Sequence, residues 1–346
     1  MKKLISGSRW SLLFLAVLLL QQTSFAVTAS FSDVPNTHDN YVAINYIKEE
    51  GIAKGYEDGT FKPENILNRA EAMKFVLESI KASLPETATA VSFSDVSLND
   101  WFIRYLVRAR ELGIVSGNPD GTFAPGRQVT KAEFIKMLLN ANGFKTEKWA
   151  GQNLYPDVPG DSWYAPYMNY AGQAGIVSKD SNGKLNPAQP MSRGEVAQSV
   201  YLLKVILNGS NTQFLLDQSE AQMSQIEVYI GASKPLIAKK ASELAVDMTQ
   251  QAYKNMATNN VVLGAAKLAR AYDYVVNAYI SALQKKYDEA YQWGQQAISK
   301  ATEAWEANHD IQAIAKHIKD RAHEIIAQLP GYGTQQQTQQ TSQVTQ

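Results

Sequence analysis

Three cations recur at one register in this chain. Arg69, Lys131 and Arg193 stand 62 residues apart, each directly after Asn68, Thr130 or Ser192 and two residues before Glu71, Glu133 or Glu195. A cap residue with a glutamate three positions on marks a helix start. The cap side chain accepts from an early helix N–H, and the glutamate reaches back to the cap's own N–H. The cation occupies the first helical position, where the helix dipole disfavours positive charge by about 0.3–1 kcal/mol. A guanidinium or ammonium beside free helix-start N–H groups makes an anion site, which is the chemistry these residues suggest. The competing possibility is that each cation pairs with an acid of a neighbouring copy, such as Asp33, Asp95 or Asp157.

The register extends well beyond this box. Phe31-Ser32-Asp33-Val34, Phe93-Ser94-Asp95-Val96 and Tyr155-Pro156-Asp157-Val158 follow the same period of 62. So do Gly51, Gly113 and Gly175; Asp58-Gly59, Asp120-Gly121 and Asn182-Gly183; and Pro63, Pro125 and Pro187. No gap is needed, so 31–207 is three copies of one unit, 31–90, 91–152 and 153–207. Each copy reads as helix, turn, helix. In the second, Asn99 or Asp100 is placed to cap a helix with Phe102, Leu106, Ala109 and Leu112 on one face, and Gly113 stands where a left-handed residue ends it. Asn118-Pro119-Asp120-Gly121 is a turn, and Phe123 is expected in the core.

These copies resemble S-layer homology repeats. The likeness rests on the Phe-x-Asp-Val opening, on Trp101 and Trp163 eight residues after the opening aromatic, and on Gly-Ile-Val-x-Gly. It rests also on Asp-Gly-Thr-Phe-x-Pro and the Thr-Arg-Ala-Glu-like box. The resemblance implies one pseudo-threefold bundle with a groove between neighbouring units, binding cell-wall polysaccharide without a covalent bond. That polysaccharide often carries a pyruvyl ketal, whose carboxylate suits a cationic site. By resemblance, Arg69, Lys131 and Arg193 hold the acidic sugar and Trp101 and Trp163 stack on it or wall it; core packing is the alternative for both tryptophans. Departures make the grooves unequal: Asp39 replaces tryptophan in copy one, Lys131 replaces arginine in copy two, and Lys179 replaces the second glycine in copy three. Lysine lacks the planar fork that matches a carboxylate.

Composition narrows the rest. Lys plus Arg equals Asp plus Glu at 33 each, which argues against a nucleic-acid binder. There are no cysteines and four histidines, so disulfides, thiolate metal sites and cysteine nucleophiles are excluded and no cofactor or metal is expected. Lys2, Lys3 and Arg9, the apolar run 12–20 and Ser24-Phe25-Ala26 read as an export signal over 1–26. Its loss removes three of the 33 basic residues and no acidic one. No transmembrane segment is expected in the mature chain.

After Asn208-Gly209-Ser210 the chain turns to Ala, Gln, Lys, Glu and Tyr. Apolar residues alternate at three- and four-residue steps from Val261 to Trp305, predicting one rod-like helix of roughly 65 Å. Helices over 212–230, 234–257 and 310–328 flank it. The expectation for 212–329 is an antiparallel bundle, with a coiled-coil seam and self-association as the alternative. His323-Glu324 begins like a zinc-protease motif, but Ala327 stands where the second histidine is required. Tyr272, Tyr279, Tyr287, Tyr291, Trp293 and Trp305 fit core or interface packing better than a sugar platform. Residues 330–346 read as a disordered Gln/Thr-rich tail.

The fold expected is therefore mainly α: a pseudo-threefold bundle of three helix-turn-helix repeats plus a C-terminal antiparallel bundle or coiled coil. The function expected is non-enzymatic anchoring of an exported protein to a bacterial envelope. An anchored enzyme or a self-assembling envelope linker stand as alternatives.

Overall fold

The computed structural model describes residues 31–88 and 93–332. The expected export signal and the Gln/Thr-rich stretch from 333 lie outside the described residues. The chain is mainly α and divides into two compact units near Leu207.

In the first unit each copy supplies two helices: α1 (Tyr41–Glu49) and α2 (Arg69–Ser79), α3 (Ile103–Glu111) and α4 (Lys131–Ala141), α5 (Ala165–Gln173) and α6 (Arg193–Leu207). The first helix of copy two starts later than its Asn99 or Asp100 cap suggested. Asp100 accepts from the Ser97 N–H at 2.8 Å and closes a tight turn, so Trp101 rides on that turn ahead of the helix. Gly113 ends α3 at φ +69°, as its type requires.

The opening aspartate of each copy has a definite task. Asp33 accepts from the N–H groups of Phe61 and Lys62, both at 2.7 Å. Asp95 does the same for Phe123 and Ala124, and Asp157 for Leu185 and Asn186. The second donor in each pair, Lys62, Ala124 or Asn186, is left-handed at φ 56°. A residue with a Cβ is costly there, and two charge-assisted hydrogen bonds hold it in place. These aspartates are thus committed to their own copies' loops, and no ion pair joins them to the repeated cations among the described residues.

The extended residues before α2, α4 and α6 close a ring around the pseudo-threefold axis. Leu67 N–H donates to the Met191 carbonyl at 3.0 Å, Met191 N–H to Val129 at 3.2 Å, and Val129 N–H to Leu67 at 3.1 Å. Each copy therefore satisfies one neighbour and is satisfied by the other. Leu67, Val129, Met191, Phe61, Phe123 and Leu185 are buried around this ring.

The second unit holds α7 (Thr212–Gly231), α8 (Pro235–Asn255), α9 (Asn260–Leu283), α10 (Tyr287–Ala307) and α11 (Gln312–Ala327). The single rod expected from Val261 to Trp305 is instead a helical hairpin. α9 stops at Gln284, Lys285 turns left-handed at φ 60°, and Lys286 N–H returns to the Ser281 carbonyl at 2.9 Å. The α7–α8 turn uses the same closure, with Ser233 at φ 58° and Lys234 N–H on the Tyr229 carbonyl. Asn211 and Asn259 cap the first helix of each hairpin, and Asn308 caps the short turn before α11. Helix α9 packs against all four others in the unit. Its partner face on α10 is lined by the fully buried Ala290, Ala297, Ala301 and Ala304, so the two backbones approach closely. Helix α11 keeps Lys316, Asp320, His323 and Glu324 on its solvent side and meets α7 through Arg321 and Glu227, 3.3 Å apart.

Candidate functional site

The three capping boxes form as expected. In copy one, Glu71 N–H donates to Asn68 at 2.9 Å and Asn68 N–H to Glu71 at 3.0 Å; Thr130 with Glu133 and Ser192 with Glu195 repeat the pattern. The helix-start amides, however, are not free. The N–H groups of Arg69, Lys131 and Arg193 donate to the carbonyls of Arg127, Gln189 and Asn65 of the adjoining copies at 2.8–2.9 Å. Those of Ala70, Ala132 and Gly194 donate to Pro125, Pro187 and Pro63. The expectation of open amides is therefore corrected: the inter-copy packing uses them to join one copy to the next.

The cations lie in the same boundaries. Arg69, Lys131 and Arg193 are only 8, 8 and 9% exposed. Arg69 Nη1 stands 3.7 Å from Glu133, and Lys131 Nζ 3.8 Å from Glu195. Arg193 has no carboxylate within ion-pair distance among the described residues; its Nε donates to the Phe61 carbonyl at 2.7 Å. Its guanidinium lies over Tyr56, Phe61 and Phe75, and that of Arg69 over Phe123. Burial pulls both guanidiniums below their ordinary range, opposed by Glu133 at Arg69 and by Tyr56, Glu71 and Asp33 at Arg193. Both remain cations, since arginine starts so high.

Trp101 and Trp163 are 57 and 53% exposed, so core packing does not account for them. Each rests edge-on against the next ring, Phe102 or Tyr164, at 5.5 Å. Across the copy boundary, Lys74 of α2 places its ammonium 5.8 Å from the Trp101 ring and 5.7 Å from Tyr105. Lys136 of α4 stands 5.3 Å from Trp163 and 5.7 Å from Tyr167. Tyr105 donates to Glu78 at 2.6 Å, and burial together with that carboxylate pushes its hydroxyl up to about 12. These two boundaries thus each offer a flat aromatic face with a cation beside it, a combination suited to a sugar bearing negative charge. Lys74, Lys136, Tyr105 and Tyr167 were not singled out from the sequence. Their signal was the same 62-residue period, broken in the remaining copy by Gln198 and Ala43.

Three stretches, residues 30–73, 92–135 and 154–197, match the S-layer homology domain in tandem. The chain carries three S-layer homology domains. The S-layer protein EA1 of Bacillus anthracis is 30% identical over 203 residues, covering 58% of this chain and 23% of that protein. Cell surface glycoprotein 1 of Acetivibrio thermocellus is 30% identical over 190 residues, covering 52% of this chain and 8% of its own length. An amylopullulanase of Thermoanaerobacterium thermosulfurigenes is 24% identical over 204 residues, covering 57% of this chain and 11% of its own. The chain thus spans less than a quarter of each. Its S-layer homology domains make it an exported, cell-surface-associated bacterial protein. No helix among the described residues is long and apolar enough to cross a membrane.

Proposed function

We propose that this protein is held non-covalently to the bacterial wall by an acidic polysaccharide docking at the boundaries between its S-layer homology domains. The carrying observation is the lysine set beside an exposed tryptophan, across the boundary and twice in register. An aromatic face favours the apolar side of a sugar ring, and the ammonium favours a carboxylate such as that of a pyruvyl ketal. Arg69, Lys131 and Arg193 lie buried in the copy boundaries and tie the copies together, Arg69 and Lys131 adding positive charge at the two boundaries that carry the tryptophans. Residues 212–329 are the displayed part, with no catalytic role of their own. Their interior is Ala-, Val- and Ile-rich, and the buried Asp273 is occupied by Lys239 at 2.7 Å and Ser242 at 2.8 Å.

Purified chain should pellet with isolated wall polysaccharide. The double change Trp101→Ala and Trp163→Ala should weaken the apparent affinity in this assay by about fivefold or more, since each lost aromatic contact is worth roughly 0.5–2 kcal/mol. Pelleting that is unaffected by the double change would exclude these boundaries as the attachment surface.

A further inference from the structure

The three copy boundaries are built by one rule but carry different chemistry. At the first, α2 offers Lys74 to Trp101 and Tyr105; at the second, α4 offers Lys136 to Trp163 and Tyr167. Advancing the register once more brings Gln198 of α6 to the lysine position, Asp39 to the tryptophan position and Ala43 to the tyrosine position. That boundary is assembled like the others: Arg193 N–H donates to Asn65, Gly194 N–H to Pro63, and Ile66 bridges Ser192. Its architecture is intact while its cation, indole and phenol are all replaced. Ala43 is buried, so it offers no ring face, whereas Asp39 is exposed and negative.

We infer that the protein holds two acidic sugar units per chain, one at Lys74–Trp101–Tyr105 and one at Lys136–Trp163–Tyr167, and none at the boundary of Gln198 and Asp39. This rests on the function proposed above and adds its valency and its selectivity. At the third boundary a ligand carboxylate meets the neutral Gln198 amide where the others offer an ammonium, and the Asp39 carboxylate where they offer an indole, so the surface attraction is lost. With no aromatic face, the apolar side of the sugar also loses its platform there. Two sites on one compact unit make attachment to a polymer cooperative by proximity: once one sugar is held, the next is offered at high local concentration.

The test is a calorimetric titration of the mature chain with a monosaccharide carrying a pyruvyl ketal. Two sites per chain are expected. Lys74→Gln with Trp101→Asp gives the first boundary the amide and carboxylate of the third while keeping Tyr105, and should leave one site. Lys136→Gln with Trp163→Asp should leave the other, and all four changes together should leave none. Gln198→Ala should leave both. Melting curves of each variant check that the fold persists. On isolated wall polysaccharide, losing either site should weaken attachment by about tenfold or more, beyond the twofold of independent sites. One site, three sites, or loss of a site in Gln198→Ala would overturn the valency while leaving the anchoring function standing. No heat with the monosaccharide, together with no pelleting on wall polysaccharide, would instead overturn the anchoring function.

Discussion

Arg127 Nη2 lies 2.6 Å from Glu133 Oε1, and Arg69 of the preceding copy stands 3.7 Å from the same oxygen. One carboxylate therefore serves the cap of its own helix, an arginine of its own copy and the repeated cation of its neighbour. The other copies have Asn65 and Gln189 where this one has Arg127, so this boundary is the most heavily clamped.

That clamp gives a pH dependence. Burial alone would raise Glu133, but the Arg127 hydrogen bonds, the Thr130 amide and the charges of Arg127 and Arg69 outweigh it and hold the carboxyl below its ordinary range. A carboxyl depressed in the folded state contributes stability in full above its unfolded pKa, near 4.3, and that contribution fades as pH falls through the folded value. The stability gap between the native chain and Glu133→Gln should be constant from pH 6 to 8 and narrow below about pH 4.3. Urea melts across that range measure it, and a gap that widened in acid would contradict the assignment.

Asp95 should be a strong determinant of stability despite lying in a loop. Asp95→Ala strands two backbone donors and releases Ala124 from its left-handed conformation. The expected loss is about 2–3 kcal/mol, read from the denaturation midpoint.

Gly117 and Gly121 separate two reasons for glycine. Both have positive φ, but a Cβ at Gly117 would overlap the Phe93 ring, whereas at Gly121 it would meet nothing within 4 Å. Gly121→Ala should cost about 1 kcal/mol for conformation alone, and Gly117→Ala about 2 kcal/mol or more through added overlap. Equal melting temperatures for the two variants would refute the packing role.

In the helical unit, Asp273→Ala should destabilise by about 3 kcal/mol, because Lys239 and Ser242 lose the buried carboxylate they share. Loss of helical circular dichroism on heating would report the shift. Tryptophan fluorescence of Trp293, which stacks on Tyr274 at 5.4 Å, offers a second probe of the same unit.

Much of this molecule was legible in the chain itself. Local chemistry repeats where residue types repeat, so the 62-residue period, the three capping boxes and the left-handed glycines all follow from neighbours a few positions apart. Asn211 and Asn259 likewise announce helix starts by their own hydrogen bonds. The break at Lys285 was hidden because the apolar stripe runs through it in phase and no glycine or proline marks it. Leu283 and Tyr287 keep the spacing of a buried face while sitting at a hairpin tip, where Leu283 is exposed.

What the residues alone determined was the unit and its triplication, since caps, turns and periodicity are short-range matters. The tertiary structure decided what each repeated group faces. Helix-start amides are spent on the carbonyls of an adjoining copy, and Lys74 meets Trp101, because three copies close a ring and every boundary joins residues far apart in the chain. Which cation is sealed and which aromatic stays open to solvent depends on that closure, and closure is a property of three copies packed together rather than of any one of them.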